Sequence, residues 1–370
     1  MKKFLILFFL ILSYLQLSAQ HRADRQSLSD PASSTMILLG DPQGYIKYDL
    51  NQPLFSHQLA WVSDNVENLN IKAVLCTGDL VEQNDNNALT RKMLNQTSRQ
   101  MWNAVSDSFR WLDGKVPYLI SPGNHDYGFK HAEDEHTFFP DYFTAERQGK
   151  VLLDCLVAEH PNREGRASLE NAAFEFELPG WSRKILVITA EFAPSDAAVE
   201  WARNLCLSDN FKDHVVIYIT HSYMKCDGKC KNARNTTEKY GLTQKKGNNS
   251  GEQLWDKLFS KVPNIRLVIC GHHGHGMDKD KKDVYEWNTG WRVDRNDAGN
   301  KVGQMMFNVQ TLGGGWEGNG GDGWLRILEF MPDGKTMKVR TYSTLFGVSH
   351  QTKHLAHRKG KLDRFEFVIE

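Results

Sequence analysis

Five short apolar runs constrain this chain more than any other feature, because each passes abruptly into polar residues able to carry chemistry. MILLG at 36–40 leads into Asp41-Pro42-Gln43, and AVLCT at 73–77 leads into Gly78-Asp79. YLISP at 118–122 leads into Gly123-Asn124-His125-Asp126, and VVIYI at 215–219 into Thr220-His221. IRLVIC at 265–270 leads into Gly271-His272-His273-Gly274-His275. Continuous apolar runs of this length suit strands buried on both faces. Helical spacing lies between them: residues 54–69; a longer stretch marked by Leu89, Met93, Trp102, Val105, Phe109 and Leu112; a helix with Val199, Trp201 and Leu205 that Ser195 is placed to cap; and one with Leu254, Trp255 and Leu258. Strands alternating with helices make an α/β protein, and ligands then gather beyond the carboxyl ends of the strands.

A lone Asp or His after a strand is most often a turn residue, so the argument rests on the ordered set. Carboxylates, an amide oxygen and imidazoles together form a hard-to-borderline donor set suited to zinc, manganese or iron. Two such ions about 3.5–4 Å apart can activate water and clamp a phosphoryl group. Glycine before Asp79, Asn124 and His272 lets the backbone turn sharply there. The 45 Lys+Arg balance the 45 Asp+Glu, which argues against a nucleic-acid binder while leaving a small phosphate ester open as ligand.

The first residues bear on compartment. A basic Met1-Lys2-Lys3, an apolar run over 4–17 and a small residue at Ala19 form a signal-peptide pattern. The run falls short of the roughly 20 residues a spanning helix needs. The reading is a signal peptide over 1–19, a loose polar segment over 20–34, and a single domain over 35–370, with no membrane span after cleavage and a periplasmic or secreted location. Export permits disulfides. The six cysteines leave 15 full pairings. Cys226 and Cys230 flank a turn dipeptide and read equally as a local clip or as two thiols, while Cys76 and Cys270 read as buried small hydrophobes.

Polar stretches at 225–250 and 277–301 read as a long loop near the site and a charged insertion. The glycine-rich stretch 313–323 reads as a tight connection, with a loop over the site walled by Trp316 or Trp324 as the alternative. Alternation in 324–330 and 337–342 about Pro332-Asp333-Gly334 predicts a hairpin, expected at the edge of the domain.

Taken in order, the polar sets resemble the calcineurin-like metallophosphoesterases, whose pattern is D-x-H, G-D, G-N-H-D/E, a strand-end His and G-H-x-H. Gly78-Asp79 and Gly123-Asn124-His125-Asp126 match outright, His221 ends an apolar run, and Gly271-His272 opens the last motif. The glycine-rich stretch and hairpin look like the carboxyl end of an exported bacterial subgroup. The resemblance implies a β-sandwich of two mixed sheets flanked by helices, with the metal site at the strands' carboxyl ends and the hairpin as a C-terminal extension. It implies two divalent ions (Mn, Fe or Zn). Asp79 would bridge them, Asp41 would hold the first, and Asn124, His221 and His272 the second. His125 would contact phosphate or protonate the leaving oxygen, steadied by a carboxylate, for which Asp126 is the candidate.

Three departures matter. Gln43 stands where the family has His, and Gly274 stands where the last His belongs, flanked by His273 and His275. Both fall on the first-ion site, which the resemblance therefore makes the weaker one; His275 is favoured as the compensating ligand because Gly274 lets the chain swing inward. The stretch after Asp79 is Leu80-Val81-Glu82-Gln83, without the Arg that grips phosphate in the family's protein phosphatases. The expected activity is hydrolysis of a small phosphomonoester or phosphodiester; the alternative is a non-catalytic binding protein on a degraded scaffold.

Overall fold

The computed structural model describes residues 25–88, 95–226, 231–236, 238–274 and 288–370. The signal-peptide reading, His275 and Cys230 lie outside these residues. Thirteen strands are seen among them: β1 (Ser34–Leu39), β2 (Ile71–Cys76), β3 (Tyr118–Ile120), β4 (Leu156–His160), β5 (Asn171–Phe176), β6 (Ile185–Thr189), β7 (Val215–Ile219), β8 (Ile265–Cys270), β9 (Thr289–Arg295), β10 (Lys301–Phe307), β11 (Trp324–Phe330), β12 (Thr336–Ser343) and β13 (Arg364–Val368). They form two sheets, in the orders β13-β12-β11-β1-β2-β3 and β4-β5-β6-β7-β8-β10-β9. Both are mixed: β1, β2 and β3 run parallel, as do β6, β7, β8 and β10, while the flanking strands are antiparallel.

The period-2 geometry of a strand lets one strand feed two cores. Ile217, Ile219, Leu267 and Ile269 face inward and join Met36, Leu38 and Leu75 in the cluster between the sheets. Their neighbours Val216, Tyr218, Val268 and Cys270 face outward onto a second cluster with Val199, Ala202, Leu254 and Leu258. Four longer helical stretches matter: α1 (Gln52–Asp64), α2 (Ser98–Phe109), α3 (Asp196–Leu207) and α4 (Gly251–Leu254), the last running into a π turn over Trp255–Phe259. The Ser195 hydroxyl caps α3 by accepting the Ala198 N–H, as its position predicts. Helices thus flank both sheets, in the expected architecture. Cys76 and Cys270 are fully buried. Among the described residues no helix is long and apolar enough to cross a membrane.

Two expectations need correction. The hairpin of β11 and β12 is not at the edge: β11 pairs antiparallel with β1 in mid-sheet, and β13 forms the edge. Its alternation misleads because Arg326 and Glu329 are buried rather than solvated. Arg326 lies over the Phe307 ring at 4.7 Å and donates to the Leu362 carbonyl, while Glu329 Oε1 accepts from the hydroxyls of Ser29 and Ser33. The charged stretch 277–301 also contains β9, an edge strand whose half-exposed residues give it a polar reading. Ahead of β1, Ser29 and Ser33 are anchored by Glu329. The glycine-rich stretch packs its Gly320 on the Gly44-Tyr45 turn, and Gly323 N–H donates to the Tyr45 hydroxyl. Trp324 is buried beneath it and Trp316 is exposed, which is the tight-connection reading.

Candidate metal centre

The centre sits where the two sheets meet. Asp41, Asp79 and Asn124 follow β1, β2 and β3, while His221, His272 and Asn308 follow β7, β8 and β10. Asp79 (φ 50°) and His272 (φ 65°) both take the left-handed backbone conformation that costs a side-chain-bearing residue energy. The glycines ahead of them allow close approach as well as a turn. A Cβ at Gly123 would collide with Asp79 Oδ1 and come within 2.6 Å of His221 Cε1, and one at Gly271 would collide with Asp41 Oδ1.

Four donor atoms converge. His221 Nε2 lies 3.1 Å from Asn124 Oδ1, 3.1 Å from His272 Nδ1 and 3.2 Å from Asp79 Oδ2. His221 Nδ1 is 2.6 Å from the Thr77 carbonyl. A carbonyl only accepts, so the ring donates there and turns its Nε2 lone pair to the cluster. Four lone-pair-bearing atoms facing one point repel unless a proton or cation lies between them. Asp79, His221 and His272 meet the geometry of a metal-holding group, as do Glu238, His272 and His273 beside them, and with Asn124 the first three offer two oxygens and two nitrogens, a set that fits zinc, manganese or iron. Absent a cation, a proton serves: burial works to lower His221, but the Asp79 and Asp41 carboxylates push it up to about 10. Burial works to raise Asp79, yet the imidazoles of His221 and His125 hold it well below the usual carboxylate range.

The side expected to hold the first ion is built differently. Asp41 accepts three donors, from Thr77 Oγ1 (2.8 Å), the His272 N–H (2.9 Å) and Asn308 Nδ2 (2.6 Å). Burial pushes its carboxyl up to about 7. Gln43 opens a short helix; its Nε2 donates to Glu82 Oε2 at 3.0 Å, while its buried Oε1 has no hydrogen-bond partner. An unmet buried carbonyl costs about 1–3 kcal/mol, which a cation or water would relieve. Gln43 therefore fits a cation, and Asp41 fits one less well than an unencumbered carboxylate would. His273 turns away from this side, its Nε2 lying 4.0 Å from Glu238. Burial and the neighbouring His272 lower it to about 3.

His125 is half-buried, its backbone N–H donating to Asp79 Oδ1 at 2.9 Å and its Nδ1 2.6 Å from the Glu82 carbonyl. That carbonyl, not a carboxylate, fixes the ring, leaving Nε2 for a ligand. Asp126 instead clamps turns. Its Oδ1 accepts the N–H groups of Leu80 (2.8 Å) and Val81 (3.2 Å), and its Oδ2 that of Gly123 (2.8 Å). Burial and the Asp79 carboxylate push it up to about 7.

Sequence reasoning passed over Asn308 and Glu238. Asn308 follows the apolar Met305-Met306-Phe307 and so repeats the strand-end pattern. Glu238 lies in the polar 225–250 loop, which does reach the site: Tyr240 and Phe192 pack edge-on beside His272 and His221. Burial works to raise Glu238, but contact with His272 lowers it to about 2.

A sandwich of two mixed sheets with an Asp/His cluster at the strand ends is the architecture of the metallophosphoesterases. The chain belongs to the calcineurin-like phosphoesterase family, which its residues 35–276 match. The uncharacterized protein YvnB of Bacillus subtilis (strain 168) is 26% identical over 340 residues, covering 91% of this chain and 22% of YvnB. The chain thus spans about a fifth of that relative's length. Similar solved structures include a dimetal phosphatase from Danio rerio (TM-score 0.49, 11% identity, 92% of this chain and 100% of that one). A purple acid phosphatase from yellow lupin (Lupinus luteus) seeds is also similar (TM-score 0.46, 12% identity, 93% of this chain and 54% of that one).

Proposed function

We propose that the chain is an exported, metal-dependent phosphoesterase that hydrolyses a small phosphomonoester or phosphodiester with water. The observation that carries this reading is the convergence of Asp79, Asn124, His221 and His272, with His221 committed to presenting Nε2. Those four residues would hold one ion, and Asp41, Asp79 and Gln43 would hold a second, weaker one. When bound, divalent ions supply charge that polarises a phosphoryl oxygen and acidifies water. The protein's own part is to orient and to move a proton. With Nδ1 committed to the Glu82 carbonyl, His125 offers Nε2 to the leaving oxygen. Burial lowers its proton affinity, but Asp79 and Glu82 reverse this and raise it, which suits a proton donor. General acid catalysis of this kind contributes typically about 10²–10⁴ in rate. The signal-peptide pattern at 1–19 supports a periplasmic or secreted location.

A second reading, a binding protein on this scaffold, is favoured by the three donors already on Asp41. The test is metal analysis of the purified mature protein, with turnover of p-nitrophenyl phosphate and its bis ester in manganese, iron or zinc. Turnover that is lost in His221→Ala supports the enzyme. Bound metal without turnover of either ester would favour the binding protein.

A further inference from the structure

His221 and His272 face the same point with opposite ring nitrogens, Nε2 from one and Nδ1 from the other. For His221 the far nitrogen is settled by the Thr77 carbonyl. For His272 the group behind the ring is Glu238, whose Oε2 lies 3.6 Å from His272 Nε2. Glu238 is firmly held. Its Oε1 accepts from Ser222 Oγ at 2.6 Å and Asn235 Nδ2 at 2.5 Å, and its backbone carbonyl accepts from Thr243 Oγ1 and Gln244 Nε2, both at 2.8 Å. Ser222 directly follows His221, so the loop's carboxylate is registered to the strand end that supplies the other imidazole.

We propose that Glu238 is the positioning residue of His272: its carboxylate holds the proton on Nε2 and so commits the Nδ1 lone pair to the metal centre. A neutral imidazole keeps its proton on one nitrogen, and a carboxylate beside Nε2 favours that tautomer electrostatically. Acceptors behind metal-ligating imidazoles fix ring orientation and raise ligand basicity. In this role Glu238 acts through His272, although Glu238, His272 and His273 also lie close enough together to hold an ion of their own. The inference rests on the metal-centre reading above and adds to it a residue supplied by a loop outside the strand-end motifs.

The test compares Glu238→Ala and Glu238→Gln with the parent full-length mature protein. Zinc affinity is read by equilibrium dialysis, ion stoichiometry by elemental analysis, and the histidine tautomers by ¹⁵N–¹H correlation spectra with and without zinc. Glu238→Ala should raise the zinc concentration for half-occupancy about tenfold or more and shift His272 away from the Nε2–H form. Glu238→Gln, whose amide oxygen still accepts a hydrogen bond, should recover part of the affinity. If both variants bind zinc as the parent does with the tautomer unchanged, the positioning role is wrong. If Glu238→Ala holds one ion fewer, Glu238 is itself a ligand, with His272 and His273, and the proposal is overturned. His221→Ala separates the two readings: zinc binding unchanged in that variant would remove the metal centre, whatever Glu238 does.

Discussion

Replacing Asp126 by alanine separates a structural clamp from a catalytic carboxylate. Its side chain is fully buried and accepts three backbone N–H groups, two from the turn after Asp79 and one from Gly123. Truncation leaves all three without an acceptor. Each unmet buried donor costs about 1–3 kcal/mol; the 3.2 Å bond from Val81 counts least, and a water in the vacated space recovers part. The net loss should be about 3–5 kcal/mol, a large share of the roughly 5–15 kcal/mol that holds a domain folded. Asp126→Asn keeps one acceptor oxygen and turns an NH₂ toward the other donors, so it should cost less, about 1–3 kcal/mol. His125→Ala is the control, losing one hydrogen bond for about 1 kcal/mol. Urea unfolding of chelator-treated protein, followed by circular dichroism and tryptophan fluorescence, measures all three. Should Asp126→Ala stay within 1 kcal/mol of the parent and still lose turnover, the carboxylate acts in the chemistry and the clamp reasoning fails.

Asp79→Ala should lose both bound metal and turnover, because this carboxylate faces the whole cluster; more than a tenth of parental turnover in a folded variant would contradict that. His125→Ala should keep its metal, by elemental analysis, while losing about 10²–10⁴ in rate; metal loss would make it a ligand instead. Gly123→Ala should weaken metal binding in dialysis, since its methyl would displace Asp79 and His221; unchanged affinity would mean the turn has slack. Gln43→His should lower the manganese concentration for half-maximal rate, and no shift would leave position 43 outside the ion's reach.

The strand ends that build the centre were legible because burial on both faces makes a run continuously apolar, and a polar residue after it then stands out. β10 hides from that logic. Gly303 and Gln304 interrupt its run, and Gln304 is fully buried only because Tyr223 and Asp294 satisfy its amide. Asn308 was missed with it. β11 misleads in the opposite sense, since Arg326 and Glu329 look solvated until the partners that neutralise them are seen. Glu238 had no local signal at all: its role depends on His272, Ser222 and Asn235 coming together across a loop, which spacing does not encode. The hydrogen bonds of Asp126 were not legible because the motif orders residues in sequence, whereas the direction of a carboxylate is set by which N–H groups the turns leave open.

The insertion of β1 between β2 and β11 has a consequence for the order in which the molecule is put together. β1 can pair with β2 as soon as residues 34–76 exist, but its other edge stays open until residues 324–330 are available. Over that interval a strand whose residues are all buried in the finished fold has one unsatisfied backbone edge, the condition that invites pairing with another chain. Asp41, at the end of that strand, likewise waits for Asn308. Pairings this far apart in sequence close late and slowly. A chain made from its amino end therefore carries β1 half-paired until residues 324–330 emerge and Asp41 without its Asn308 contact until residue 308 does, so the site closes only after a long intervening stretch has been made.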